Sequence, residues 1–300
     1  LKKIIDSPLH LDVQDALDDA ISSIKSYLKK LDRQLRILSV ETLSSVITCK
    51  DGALGSEELN SIIDELAPLI SDDLGVSNAV MDFLENAADT HPDMAFSMLE
   101  RVFSNIQQLM SSPTLQKASL EKLRGFLSKT LNQIPAHRQE VIEKMFNFGM
   151  QANSKNASIA AATCVAQLAQ PSQDACHFVE REVLEAIKNP AQDVKIFCLY
   201  CIKDMGVYQF SLNKEAELRQ AVLDCLPEEA TSEAAAIALG GLASKNSSDH
   251  LDFVLGNLSQ TGDKKNQYHM LKALNEGLEI VSSNDACNLD PSKIKRIVEI

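Results

Sequence analysis

The chain has 300 residues, of which 45% are apolar, and it carries a net charge of −13. That apolar content is enough to bury a large core, while the acidic balance argues against a nucleic-acid partner, which would select a basic surface. The sequence has no run of 18 apolar residues and no charged-then-apolar leader, so we expect no membrane partner and no secretory signal.

Helix pairs are predicted along nearly the whole chain, because apolar residues recur at three- and four-residue steps. The first helices of the pairs are predicted at 12–29, 56–70, 92–110, 135–151, 171–188, 213–226 and 246–260. The second helices are predicted at 31–48, 73–89, 113–130, 155–169, 191–205, 228–243 and 263–282. A further first helix is predicted to begin near Pro291 and to be still running at Ile300.

The second helices are more broadly apolar than the first. The run 194–202 is apolar on most of its circumference, as expected of a helix with neighbours on more than one side. Helix 56–70 has a single apolar stripe, and Pro68 is predicted to bend or stop it because proline lacks the N–H of the helical ladder. In the last pair, Leu271 is predicted to lie with Leu274 on the buried face.

One apolar position in each second helix shows the repeat most clearly. It recurs at intervals of 41, 39, 42, 37, 37 and 35 residues, at Leu43, Leu84, Leu123, Val165, Ile202, Leu239 and Leu274. Self-similarity at this period is typical of stacked helix pairs at the short end of the HEAT range. The predicted fold is therefore an all-α, superhelical solenoid of about seven HEAT repeats, with residues 1–300 as a single segment. Gly240 and Gly241, inside a second helix, are predicted to relieve crowding between helices.

We expect this segment to be a fragment of a longer array. Terminal repeats of a solenoid need polar outer faces, and neither end of the chain has the look of such a cap. The seven cysteines are odd in number and most lie in apolar helical runs. This usage is typical of a reduced, intracellular protein.

We predict no catalytic, metal or cofactor site. Cys198 and Cys201 have a metal-like spacing, but a structural zinc site needs four ligands and no second pair is present. Both lie in an apolar helix, so we interpret them as core residues. The six histidines are scattered, and there is no phosphate-binding glycine loop. Because a solenoid offers a groove instead of an enclosed pocket, we expect neither enzymatic activity nor a small-molecule substrate.

Several short blocks resemble the middle of the cullin-associated, neddylation-dissociated (CAND) family. The blocks are 63–71, 76–77, 83–84, 91–92, 112–116, 194–195, 205–206, 238–240, 252–255, 266–268 and 274–276. Each block is generic for HEAT repeats, but their order and separations are similar to those of the family from about Arg33 to Ile280. The turn 71–75, the stretch 131–157 and the residues before Asp32 depart from the family pattern.

The resemblance implies a non-enzymatic scaffold that wraps an unmodified cullin with its RING subunit. Members of the family compete with adaptor and substrate-receptor modules, and so exchange receptors on cullin-RING ubiquitin ligases such as SCF complexes. The resemblance also implies that the protein is localised in the cytoplasm and nucleus.

Two other functions are compatible with a HEAT solenoid. One is a nuclear transport receptor, which needs contacts with cargo and with a small GTPase. The other is a scaffold or regulatory subunit of a phosphatase or kinase. The ordered CAND-like blocks favour the cullin-binding interpretation over both.

We expect the partner to contact polar residues on the second helices and the turns that precede them, since these usually line the concave side of a HEAT stack. The candidates are Arg36, Asp73, Asp82, Glu121, Lys122, Asp193, Lys195, Lys203, Lys264 and Lys265. Distributed charges of this kind select a folded partner and speed its encounter. The net charge is compatible with a basic protein partner, although solubility explains it more simply.

Overall fold

The computed structural model describes residues 14–49, 54–71, 73–113, 115, 117–245, 250–260 and 263–283. Within these ranges the regular elements are α-helices and short 3-10 helices. The chain divides into two compact units, Leu1–His137 (unit 1) and Arg138–Ile300 (unit 2). That residues 1–300 form a single segment stays a prediction.

Unit 1 contains three helix pairs in its described residues. The pairs are α1 (Gln14–Leu28) with α2 (Arg33–Cys49), α3 (Ser56–Leu66) with α4 (Leu74–Thr90), and α5 (Ala95–Met110) with α6 (Lys117–Gln133). Short 3-10 helices at Ala67–Ser71, Pro92–Met94 and Pro135–His137 each contain a proline. Pro68 lies in the first of them, directly after α3, so the predicted break of that helix is confirmed.

Unit 2 contains four helix pairs in its described residues. The pairs are α7 (Arg138–Met150) with α8 (Lys155–Ala169), α9 (Gln173–Ala186) with α10 (Gln192–Val207), α11 (Glu215–Cys225) with α12 (Ser232–Ala243), and α13 (His250–Gln260) with α14 (Lys264–Ser283). Ser154 and Ser172 cap α8 and α9, because their side chains accept hydrogen bonds from the backbone N–H groups of Ala157 and Ala175.

The predicted fold class is confirmed. The predicted helices agree with the observed ones to within four residues when the 3-10 helices are counted with the α-helices beside them. The seven apolar positions that define the repeat are all buried, with Leu274 the most exposed at 7%. The helix predicted from Pro291 lies outside the described residues.

Within unit 2, α12 lies between α10 and α14 with almost no side chain separating the backbones. A Cβ atom on Gly206 of α10 would overlap the carbonyl group of Gly241 in α12. A Cβ atom on Gly241 would lie 2.5 Å from the carbonyl oxygen of Lys203, and one on Gly240 would lie 2.6 Å from that of Ala273 in α14. Since only glycine lacks this atom, the prediction that Gly240 and Gly241 relieve crowding is confirmed.

Leu271 was wrongly predicted to be a core residue. Its side chain is 51% exposed, whereas Met270 and Leu274 on the same helix are buried. The buried face of α14 is centred near Met270 and Gly277. Leu271 lies about 100° around the helix from Met270, which turns it away from α12.

Leu239 and Leu271 form a matched pair for testing this packing. We expect Leu239→Ala to lower the free energy of unfolding by about 2–5 kcal/mol, because it leaves a cavity in a fully buried site. Leu271→Ala should change it by less than about 1 kcal/mol, since the side chain is half in solvent. Urea unfolding of both variants measures the difference. Equal losses would contradict the described orientation of α14.

Glycine-to-alanine changes test the close approach of the second helices. We expect Gly206→Ala to destabilise the chain by about 1–3 kcal/mol, because its methyl group overlaps the backbone of α12. Gly125 of α6 is the control, since a Cβ there meets no atom within 4 Å. Gly125→Ala should stabilise the chain by up to about 1 kcal/mol through helix propensity. Thermal unfolding of both variants measures these changes in stability. A higher unfolding temperature for Gly206→Ala would contradict the close contact between α10 and α12.

Candidate partner-binding surface

In unit 1 the second helices are joined by polar side chains about one repeat apart. The amide nitrogen of Asn86 donates to Ser44 Oγ at 2.7 Å, which joins α4 to α2. On the other side of α4, Asp82 pairs with Lys122 of α6, and Glu85 pairs with Lys129 at 2.5 Å. These contacts connect neighbouring second helices in the layer that they share.

Unit 2 repeats this arrangement with a largely buried contact. The hydroxyl of Thr163 on α8 donates to the buried carboxylate of Asp204 on α10 at 2.8 Å. Lys195 of α10 donates to Glu228, in the turn before α12, at 2.7 Å. A buried carboxylate is stable only when it is hydrogen-bonded or paired, so these contacts favour one register.

A cluster centred on Glu233 links several second helices of unit 2. Lys272 of α14 donates to Glu233 of α12 at 2.6 Å, and Lys155 of α8 lies 3.6 Å from the same carboxylate. The hydrogen bond from Lys272 and the charge of Lys155 lower the pKa of Glu233. Tyr200 of α10, which is 5% exposed, lies near Lys155 and helps to raise the pKa of that lysine.

The pair between Lys155 and Glu233 is an indication of how the second helices of unit 2 are arranged. These residues belong to α8 and α12, and α10 lies between the two helices, with contacts to both. Side chains from helices on either side of a third can meet across it when the layer curves inward. The second helices of unit 2 therefore form a concave surface.

The two layers of helices differ in charge. In unit 2 the first helices carry ten acidic and four basic side chains, whereas the second helices carry five acidic and six basic ones. In unit 1, α3 and α5 carry five acidic and one basic, while α2, α4 and α6 carry five acidic and six basic. The excess of acidic over basic side chains is therefore found on the first helices. On the second helices, acidic and basic side chains are nearly equal in number.

Known proteins of one kind align with nearly the whole chain. It is 29% identical over 287 residues to mouse cullin-associated NEDD8-dissociated protein 2, covering 91% of this chain and 23% of that protein. It is 24% identical over 312 residues to protein 1 of the same name from Arabidopsis thaliana, covering 99% of this chain and 25% of that one. The chain is a CAND-like HEAT-repeat region. It spans about a quarter of the length of the curated relatives it matches.

No family model matches the sequence. Among solved structures, an engineered protein aligns with 99% of this chain and 75% of its own, at 15% identity and a TM-score of 0.34. A computationally designed armadillo repeat protein aligns with 85% of this chain and 99% of its own, at 16% identity and a TM-score of 0.30.

In unit 1 of this CAND-like region, the predicted contact residues have unequal freedom to meet a partner. Asp73 caps α4 by accepting from the N–H groups of Gly75 and Val76, and it also accepts from Arg33 at 2.6 Å. Although burial raises the pKa of Asp73, these hydrogen bonds outweigh it and the pKa is lowered. Asp73 therefore supports the fold, whatever contact it makes with a partner.

The other predicted residues of unit 1 lie on α2, α4 and α6. Asp82 and Lys122 are brought together as an ion pair, and Glu121 lies 3.9 Å from Lys117 on its own helix. Arg36 is half-buried on α2. Of these residues, Asp82 and Glu121 are exposed, and the assignment of all four to an interface stays a prediction.

In unit 2 the predicted residues occupy the beginnings and the exposed faces of second helices. Asp193 is exposed in the first turn of α10, and Lys264 and Lys265 are exposed in the first turn of α14. Lys195 pairs with Glu228, as described above, and Lys203 lies 3.5 Å from Asp204. The structure thus places them along the second-helix layer without gathering them into one cluster.

The sequence interpretation missed the cluster of Lys155, Tyr200, Glu233 and Lys272. A one-turn spacing from Lys155 through Ile159 and Thr163 to Gln167 marks the exposed edge of α8. That spacing gives the face on which Lys155 lies, but not its partner two repeats away.

Cys198 and Cys201 are fully buried, as predicted. Burial raises the pKa of both thiols. Among the described residues, no group of three or more His, Cys, Asp or Glu side chains is arranged to hold a metal ion. The described helices include none that is long and apolar enough to cross a membrane.

His269 of α14 is a buried titratable group beside this surface. It is 6% exposed, and neither ring nitrogen has a hydrogen-bond partner within the described part of the chain. Burial, together with the charges of Lys265 and Lys272, lowers the pKa of His269 below 6.5, against a smaller opposing effect of Asp263. The folded chain therefore holds this imidazole neutral.

This lowered pKa predicts a loss of stability in mild acid. Below about pH 6.5 the unfolded chain takes up a proton that the folded chain resists, so the free energy of unfolding falls. We expect His269→Phe to lose less stability than the unsubstituted chain between about pH 7 and pH 5. Urea unfolding at several pH values measures this, and parallel pH curves would contradict it.

Proposed function

We propose that this chain is a partner-binding segment of a non-enzymatic scaffold that binds an unmodified cullin with its RING subunit. The full-length protein would promote exchange of substrate receptors on cullin-RING ubiquitin ligases, in the cytoplasm and nucleus. The observation that carries the proposal is the alignment of 91% of the chain with a cullin-associated NEDD8-dissociated protein at 29% identity.

The second-helix surfaces are suited to a folded protein partner. They carry basic and acidic side chains in nearly equal number, many of them in ion pairs. Such a surface recognises a partner by its pattern of charges, because net attraction is small. In unit 2 the second-helix layer also has the partly exposed apolar residues Ile159, Ile196 and Ile237. These supply the apolar contact area that a protein interface needs at its centre.

The test is direct capture of purified cullin by the full-length protein that contains this chain. Unmodified cullin with its RING subunit should bind, and NEDD8-modified cullin should bind much less. A variant with Lys203, Lys264 and Lys265 all changed to Glu should bind at least about tenfold more weakly and with a smaller salt dependence. Each single change should cost less than about threefold, as for exposed charges in general.

The matched control reverses three basic residues on the first-helix side of the same unit, two of them in first helices and one, Lys188, in the turn after α9. Lys144→Glu, Arg181→Glu and Lys188→Glu together make the same change in net charge. The affinity of this triple variant for cullin should stay within about threefold of that of the unsubstituted protein, because exposed charges outside an interface contribute little to binding. Failure to capture either form of cullin would refute the proposed partner. Equal losses in both triple variants would remove the interface from the second helices.

A further inference from the structure

An exposed tyrosine lies on the second-helix side of unit 2. Tyr268 of α14 is 60% exposed, more than any other aromatic side chain in the described part of the chain. Tyrosine is enriched at the centres of protein interfaces, because its ring offers a large contact area and its hydroxyl a polar contact. Tyr268 is therefore a candidate anchor for a partner.

Comparison between repeats separates the exposure of Tyr268 from that of Leu271. Three residues before the reference position of each repeat, Leu271 corresponds to Leu199 and Ala236, which are fully buried and are each followed by another second helix. Among the described residues no second helix follows α14, so Leu271 is uncovered. Tyr268 lies six residues before the reference position. The residues at that position in the earlier pairs of unit 2 are exposed or partly exposed even with a following helix: Ile159, Ile196 and Glu233. The exposure of Tyr268 is thus a property of the second-helix surface.

Lysines flank Tyr268 along the same edge of α14. Lys264 lies one helical turn before Tyr268 and Lys272 one turn after it, because residues four apart share a helix face. Lys264 and Lys265 are exposed, and neither forms an ion pair with another described residue. Hydrogen bonding to Glu233 raises the pKa of Lys272, and the nearby Tyr268 adds to this effect.

The Tyr268 patch consists of this tyrosine and the charged residues around it, Lys155, Glu233, Asp263, Lys264, Lys265 and Lys272. It holds four lysines against two carboxylates, a net charge of +2 in a chain whose net charge is −13. Lys155 and Lys272 share the carboxylate of Glu233, so one of these two positive charges has no counterpart. The carboxylate of Asp263 already accepts a hydrogen bond from the backbone N–H of Lys265 at 3.1 Å. The patch is therefore complementary to carboxylates of a partner.

The spacing of the patch fits a short extended segment. Along α14, Lys264, Tyr268 and Lys272 follow one another at about 6 Å, since an α-helix rises 1.5 Å per residue. In an extended chain, alternate side chains point to the same face and lie about 6.6 Å apart. A segment with acidic residues two positions before and two positions after an apolar residue therefore presents its three side chains at a matching spacing.

We propose that the Tyr268 patch binds an acidic segment of a partner protein, in which glutamate or aspartate flanks an apolar residue. The apolar side chain packs on the ring of Tyr268, and the carboxylates pair with the exposed lysines on either side. The proposal rests on the proposed function, since it gives the chemistry of one partner segment on the same second-helix surface.

The test uses a tryptophan placed in the patch. The chain contains no tryptophan, so Tyr268→Trp introduces a single indole whose emission reports on the patch alone. An end-blocked Glu-Ser-Leu-Ser-Glu peptide should shift this emission to shorter wavelength, because its leucine removes the indole from water. The end-blocked Lys-Ser-Leu-Ser-Lys peptide should cause no shift. The Glu-Ser-Ser-Ser-Glu peptide should bind about fivefold more weakly, since it lacks the apolar contact.

The role of the tyrosine itself is measured with a fluorescein-labelled Glu-Ser-Leu-Ser-Glu peptide and the 300-residue chain. Tyr268→Ala should weaken binding by about fivefold, because the ring that covers the leucine is lost. Tyr268→Phe keeps the ring and should bind within about twofold of the unsubstituted chain. Circular dichroism confirms that each variant is folded. Equal binding by Tyr268→Ala and the unsubstituted chain would overturn the proposal.

The matched control separates binding at the patch from general attraction of an acidic peptide to lysines. Lys264→Gln with Lys265→Gln should weaken the labelled peptide by about five- to tenfold, because two cations no longer face its carboxylates. Lys144→Gln with Lys188→Gln makes the same change in net charge on the first-helix side of unit 2 and should alter the affinity less than about twofold. Equal weakening by the two double variants would overturn the proposal.

The patch proposal and the cullin proposal can fail separately. Absence of peptide binding, while the full-length protein captures unmodified cullin, overturns the patch alone. Peptide binding with the expected variant pattern supports the patch even if cullin capture fails, and the proposed function then falls by itself. Displacement of the labelled peptide by an equal concentration of a short thymidine oligonucleotide would overturn the assignment to a protein partner.

Discussion

Backbone-to-backbone contact between second helices is the constraint on which unit 2 depends. Gly206 and Gly241 bring α10 and α12 together, and Gly240 with Gly277 does the same for α12 and α14. The first helices of unit 2 approach one another less closely than the second helices do. A layer that is closely packed on one side and more widely spaced on the other bends toward the packed side. The concave surface, and the meeting of Lys155 with Glu233 across α10, follow from this packing.

The charge distribution follows the same division into layers. The first helices hold most of the carboxylates and are suited to solvent, while the second helices balance acidic and basic groups. Long-range attraction to a basic partner is therefore a property of the first-helix side. If the second-helix side binds the partner, as we propose, local ion pairs such as Glu233 with Lys272 matter more for recognition than the net charge of −13.

The fold was predictable from sequence because each helix pair repeats one apolar pattern at a nearly constant period. The buried series from Leu43 to Leu274 and the break near Pro68 required only local chemistry. Leu271 was misplaced because periodicity identifies an apolar stripe without showing which part of it meets a neighbour. That boundary is set by the position of α12, which no local pattern contains.

The candidate surface was predictable only in outline. That the second helices face the partner follows from what is usual in HEAT stacks and stays a prediction, although several of the chosen residues do lie on exposed faces of these helices. The sequence cannot show that Asp73 is used as a helix cap, or that Lys155 reaches a residue 78 positions away.

Site-specific photo-crosslinking tests most directly the claim that the second-helix layer is the partner-facing surface. A photoreactive phenylalanine analogue would replace Ile196 or Ile237 on second helices, and Glu143 or Glu185 on first helices, in the full-length protein. On irradiation with unmodified cullin and its RING subunit, we expect crosslinks to cullin from Ile196 and Ile237 and almost none from Glu143 and Glu185. Crosslinks mainly from the first-helix positions would contradict this account.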